Sequence, residues 1–129
     1  MTANRFNFRA YILKEKYIVD VEILYPEYIL AYDGKIYNLN NVNNSKNYVV
    51  MQSTGLVDGN GKEIYEGDIL SDGSIKFLVC FEEEKACFIM KPILCGKTLL
   101  KKYEEISKRY MHYYEIIGNI YENKELLKS

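Results

Sequence analysis

Residues 5–12 alternate: Phe6, Phe8, Ala10 and Ile12 fall on one side, and Arg5, Asn7, Arg9 and Tyr11 on the other. A period of two sends successive side chains to opposite faces, so this run predicts a strand with one face buried. Lys14-Glu15-Lys16 reads as a turn. Residues 17–24 alternate again, with Tyr17, Val19, Val21 and Ile23 together. Pro26 interrupts the pattern. Asp33-Gly34 then separates residues 28–32 from 35–39 and predicts a two-residue hairpin turn, both of whose central residues would take positive φ. Residues 38–47, NLNNVNNSKN, are polar and rich in Asn, and read as an exposed loop.

Strand character resumes at residues 48–52. Asp58-Gly59-Asn60-Gly61 is a turn by composition. Residues 68–70 open another strand, Asp72-Gly73 turns it, and Ile75, Phe77, Val79 and Phe81 then share a face. Glu82 to Lys85 predict a four-residue hairpin loop. That loop would set Phe81 opposite Ala86, and Cys80 opposite Cys87. One helix is predicted at 98–110. Thr98 would cap it, Leu99, Leu100, Tyr103, Ile106 and Tyr110 follow helical spacing, and Lys101, Lys102, Glu104, Glu105, Lys108 and Arg109 take the other face. Residues 114–121 return to strand, and Asn123 would cap a last helical turn. The fold class is mainly β.

The length of 129 residues suits one domain, 1–129, divisible into a β lobe at 1–50 and a second lobe at 51–129. No apolar run approaches the ~18 residues that span a membrane. The opening residues lack a hydrophobic signal core, so the sequence places the protein in the cytoplasm. Cys80, Cys87 and Cys95, odd in number and set among apolar residues, fit reduced thiols in that compartment. The net charge of −1 is balanced between the two halves, which argues against purely electrostatic binding to nucleic acid. Thirteen Tyr and no Trp favour strand packing and also supply contact residues.

Chemistry has few places to reside. His112 is the single histidine, and its spacing from the three cysteines lacks any close CxxC pair, so zinc is not expected. No phosphate-binding glycine loop or nucleophile elbow is present. Glu63, Glu66 and Asp68 cluster in KEIYEGDIL and could do acid–base work, but Glu66-Gly67-Asp68 is better read as turn chemistry at a strand entrance. Lys97, Lys101, Lys102, Lys108 and Arg109, against Glu104 and Glu105, form the candidate phosphate or partner patch; a solvated helix face is the plainer reading.

Two stretches carry a resemblance. MQSTGLVDGNGKEIYEGDIL (51–70) and EIIGNIYENKELL (115–127) resemble the paired signatures of the YopX-like proteins of phages and prophages. The opening FNFRAY (6–11) is similar to that family's start, with Tyr11 where Trp is usual; Lys124 stands where Pro is usual. Residues 12–50 match little beyond their pattern. The resemblance implies an SH3-like small barrel in the C-terminal part, a phage or prophage origin, action inside the host cell, and no cofactor or catalytic residue. Its signature positions, Gly55, Gly61, Ile64, Tyr65, Gly67, Asp68, Ile117, Gly118, Asn119 and Tyr121, all admit structural roles. The glycines would serve turns, bulges or close approach, with Ile64, Tyr65, Ile117 and Tyr121 packed around them.

Three functions compete. The first is a non-enzymatic interaction module binding a host or phage protein, or a second copy of itself. The alternative is a small-barrel nucleic-acid binder using the 97–109 patch and aromatic strands. The least favoured is an enzyme using Glu63, Glu66 or Asp68. No membrane partner and no metal are expected.

Overall fold

A computed structural model describes residues 3–4, 6–93, 104–105 and 111–128. The chain is mainly β, in two antiparallel sheets. Strands β1 (Phe8–Ile12), β2 (Tyr17–Leu24), β3 (Tyr28–Ala31), β4 (Ile36–Asn38), β5 (Tyr48–Val57) and β6 (Glu63–Tyr65) form the first, in the order β4-β3-β2-β1-β5-β6. Strands β7 (Asp68–Ser71), β8 (Lys76–Glu82), β9 (Cys87–Ile93), β10 (Glu104–Glu105) and β11 (Glu115–Asn119) form the second, in the order β10-β9-β8-β7-β11.

The alternation of the first strands builds the first core. Ala10, Ile12, Val21, Ile29 and Tyr48 are buried together. The sheet curls around them. The hydroxyls of Tyr17, on β2, and Tyr37, on β4, meet at 2.9 Å. Asn47, just before β5, donates its amide to Leu39 beyond β4 and accepts from the Leu13 amide, drawing the far edge back toward β1. The Asn-rich stretch that spans this gap is exposed and built around Asn41, whose Oδ1 accepts the amides of Asn43 and Ser45 at 2.8 and 3.0 Å. The second core holds Ile64, Leu70, Phe77, Val79, Met90 and Met111. Here β8 alternates as expected, with Phe77 and Val79 buried and Phe81 at the exposed end of the same face.

Several expectations are corrected. The 33–34 hairpin has a three-residue loop, closed by the Ala31 amide on the Lys35 carbonyl, with only Gly34 at positive φ (86°). A type I turn with one glycine bulge needs a single left-handed residue, not two. In the β8–β9 hairpin Glu82 pairs with Cys87, Phe81 with Phe88 and Cys80 with Ile89, so the two thiols are diagonal neighbours. The loop there is 83–86, because Ala86 takes the left-handed turn position (φ 51°) rather than the first strand position. Neither sheet closes into a barrel among the described residues. In the C-terminal part, β7, its turn and the long β8–β9 hairpin occur in the expected order, but in an open sheet whose edges are β10 and β11. The helix expected at 98–110 lies outside the described residues except at Glu104 and Glu105. Those two are extended and pair with Met90 and Ile89, where β9 otherwise lacks a partner on that side. Ladder formation outweighs the helical spacing at these two positions.

Candidate functional site

The signature stretches meet at the seam between the sheets. Arg9 stands on the face of β1 opposite Ala10 and reaches across to Asp68 at the start of β7, Nη2 to Oδ1 2.6 Å. The other oxygen of Asp68 accepts the Tyr65 amide at 2.8 Å, and the guanidinium lies 4.6 Å above the Tyr65 ring. Both charged side chains are nearly dry, at 11% and 2% exposure. Burial pushes the Asp68 carboxyl above its ordinary value, with Arg9 and the Tyr65 amide pulling the other way. Burial, with Glu63 nearby, likewise raises the Tyr65 hydroxyl. Glu63 accepts from the Ser53 hydroxyl, from Asn7 Nδ2 at 3.0 Å and from the Asn4 amide at 3.1 Å. Glu63 is thus held within the first sheet, and Asp68, through Arg9, ties that sheet to the second.

The two halves of the signature also lock to each other. Asp58 is buried; its Oδ1 accepts the amides of Asn60 and Lys62, and its Oδ2 accepts that of Ile116 on β11 at 2.9 Å. The Gly59 amide bonds the Tyr114 carbonyl, and a Cβ at Gly59 would sit 2.7 Å from the His112 carbonyl oxygen. Asn119 is buried and caps the turn after β11, accepting from Tyr121 and Glu122. Gly118 gives Asn123 room: a Cβ there would be 2.6 Å from its Oδ1. Tyr121 stacks on Tyr11, centroids 5.1 Å apart. Gly55, Gly61 and Gly67 all have positive φ, and Ile64 is in the second core. Ile117 does not join the packing: it is 39% exposed, at the register shift between Ile116 and Gly118 where a bulge turns it out. Arg9 and Asp58 escaped the sequence reading, which places charges on the solvent side of strands and turns. The one available signal for Arg9 was its place within FNFRAY.

Beside this network lies a cleft of about 220 Å³, lined by Val50 and Met51 of β5, Leu78 and Cys80 of β8, Tyr121, and Glu66 and Gly67 between β6 and β7. Glu66 Oε1 accepts the Gln52 amide at 2.9 Å. Burial raises the Cys80 thiol and the Tyr121 hydroxyl, keeping both neutral. A second hollow, of about 370 Å³, is lined by Asn60, Asp72, His112, Tyr113 and Glu115. His112 is exposed and lies 4.0 Å from the Tyr113 ring. On the first sheet's outer face, Ile23 pairs with Leu30 and Leu30 with Ile36, an apolar row that ends on edge strand β4. Ile23 and Ile36 are 40% and 61% exposed.

Lys97, Lys101, Lys102, Lys108, Arg109 and Cys95 lie outside the described residues. Among the described residues no three His, Cys, Asp or Glu side chains are grouped to hold a metal ion. No helix there is long and apolar enough to cross a membrane.

No curated protein matches the chain. A solved structure, the crystal structure of protein EF1440 from Enterococcus faecalis, matches it with a TM-score of 0.68 and 27% identity, covering 95% of this chain and 97% of that one. The model of the YopX protein family matches residues 7–128, nearly the whole length. With the signature residues placed at one seam and that match spanning both sheets, the chain belongs to the YopX family.

Proposed function

We propose that this chain is a non-enzymatic protein-interaction module, encoded by a phage or prophage and acting in the cytoplasm of the bacterial host. The observation that carries the reading is the row Ile23–Leu30–Ile36. Three apolar side chains stand in register across β2, β3 and β4 on the face away from the first core. The row ends on β4, the edge strand of that sheet, where Asn47 already takes the Asn38 carbonyl at one end and Ile36 stands exposed at the other. Exposed edges and apolar rows are what an added strand or a second copy of the chain would cover. The enzyme reading weakens in parallel, because Glu63 and Asp68 are engaged in the polar seam.

The test is affinity purification of the tagged chain from host cells, with and without nuclease, in wild type and Ile36→Lys. The expected result is a partner retained after nuclease and lost in Ile36→Lys, with the variant's circular dichroism unchanged. The nucleic-acid alternative is tested by fluorescence anisotropy at two salt concentrations. No binding to DNA tighter than roughly 10⁻⁶ M is expected, the range of non-specific association. Submicromolar binding, lost when Lys101 and Lys102 are both changed to Glu, would replace the interaction reading.

A further inference from the structure

We propose that the cleft at Gly67 binds an organic cation of side-chain size: an alkylammonium or alkylguanidinium group on a short apolar stem. The site uses a different surface from the Ile23–Leu30–Ile36 row and stands whether or not that row has a partner.

The cleft is small and closely walled. Gly67 adopts φ +90° and lines the cleft, where the absence of a side chain lets Met51 and Tyr121 close up on its backbone. A Cβ there would lie 3.1 Å from Met51 Sδ and 3.5 Å from Tyr121 Cε2. The volume, about 220 Å³, falls below the roughly 300–1,000 Å³ of sites for drug-sized ligands. It suits one side chain or a fragment of that size.

The charge of the cleft is negative. Glu66 is the charged side chain of the lining. It accepts the Gln52 amide through one oxygen and forms no ion pair among the described residues. The neutral thiol of Cys80 and hydroxyl of Tyr121 add no charge to the wall. Around them, Arg9 is engaged by Asp68, while Lys91 and Glu82 act on Cys80 with opposite signs. An anion would therefore meet Glu66 within the lining, while Lys91 and Arg9 stand outside it. A purely apolar guest would cover that carboxylate without pairing it, at a desolvation cost. A cation with an aliphatic stem meets Met51, Leu78 and Val50 with its chain, Glu66 with its head and Tyr121 with its π contact.

The test is an NMR titration of the full chain, following the Met51 methyl and the Glu66 and Gly67 amides. The probes are n-butylguanidinium, n-butylammonium, neutral n-pentanol, and N-acetyl-arginine amide. Saturable shifts are expected for the alkyl cations at roughly 1–10 mM, the range for so small a fragment. Pentanol should bind roughly ten- to a hundredfold more weakly, the size of a lost charge-assisted hydrogen bond. Glu66→Gln, whose amide oxygen can still accept from Gln52, should weaken the cations to a similar degree. Binding of the blocked arginine as tight as the free cation would assign the site to a partner's side chain. Binding of the free cation alone would assign it to a small molecule, and either outcome supports the cation site. Absence of saturable shifts, equal affinity for pentanol, or an unchanged affinity in Glu66→Gln would overturn it. The comparison with pentanol in the wild type decides the matter even if the variant fails to fold.

Discussion

Replacing Gly67 tests whether backbone conformation or side-chain space fixes the seam. The residue has φ +90°, its amide bonds the Val79 carbonyl, and its own carbonyl accepts the Ile120 amide. It cannot easily relax to negative φ without losing both bonds. An L-residue held in the left-handed region costs about 1–2 kcal/mol relative to glycine. Gly73 supplies the control: its φ is +99°, and a Cβ there meets nothing within 4 Å. Gly73→Ala should therefore report the backbone cost alone, about 1 kcal/mol. Gly67→Ala adds a contact 3.1 Å from Met51 Sδ. A thioether can shift by the few tenths of an ångström required, so the extra cost is small and the total about 1–2 kcal/mol. Gly67→Val adds two methyl groups to the cleft and a β-branch in a region such residues avoid, for roughly 2–4 kcal/mol. Urea denaturation reads this directly, since a slope of 1–3 kcal/mol per molar converts 1 kcal/mol into a midpoint shift of roughly 0.5 M. The order of midpoints should be wild type, Gly73→Ala, Gly67→Ala, Gly67→Val. An unchanged midpoint for Gly67→Val would refute the backbone argument, and a Gly67→Ala no costlier than Gly73→Ala would refute the crowding argument.

Arg9→Met should destabilise by about 3 kcal/mol at neutral pH, because it leaves the Asp68 carboxylate buried and unpaired. A carboxyl whose folded pKa lies above its ordinary value of 3.8 binds more protons folded than unfolded between the two values, so its contribution to stability falls as pH rises through that window. Losing Arg9 raises the folded pKa further, so the variant should recover toward wild type as pH falls to about 4; a deficit independent of pH would refute the pairing. Asp58→Ala should cost about 2–3 kcal/mol by orphaning three amides, and hydrogen exchange should speed up first at Ile116. An Ile116 amide protected as in wild type would place the acceptor elsewhere. Cys80 should alkylate more slowly than a free thiol at pH 8, because burial raises its pKa and limits access; a rate equal to that of glutathione would contradict this.

Strand existence was legible from the alternation of apolar positions, as in β8, where buried Phe77 and Val79 alternate with half-buried Lys76 and Leu78. The alternation of residues 5–12 announced β1 as well, but not that both of its faces are covered. Ala10 and Ile12 enter the first core, while Arg9 and Tyr11 face the second sheet, so the side that reads as polar is the inter-sheet seam. Register was lost where a left-handed residue is not glycine. Nothing in EEEKA announces that Ala86 belongs to the loop, and moving the loop by one residue shifts Cys80 from Cys87 to Ile89. Asp68 stands at a strand entrance, where turn chemistry was expected, and accepts the Tyr65 amide. Its second bond, to Arg9 59 residues away, has no local signature.

The distribution of polar bonds bears on where a partner can act. Asp58, Glu63, Asp68 and Asn119 all lie in the signature stretches, and all use their side-chain oxygens on amides, a hydroxyl or a guanidinium of this same chain. A ligand that competed for Asp58 or Asp68 would have to break bonds that join the sheets, and one that competed for Glu63 or Asn119 would break bonds within the first sheet or the turn after β11; each leaves buried polar groups unpaired. Such groups are poor candidates for chemistry, however prominent they are in the sequence. The groups with capacity left are of another kind. Ile23, Leu30 and Ile36 lie within residues 12–50, the part that resembles the family signatures least. Glu66 and Ile117 lie inside the signatures but face the cleft and the solvent. Binding at Ile36 or Glu66 would leave the bonds of the seam intact. Recognition should therefore respond to substitutions at Ile36 and Glu66, whereas substitutions at Arg9 or Asp58 should act through stability.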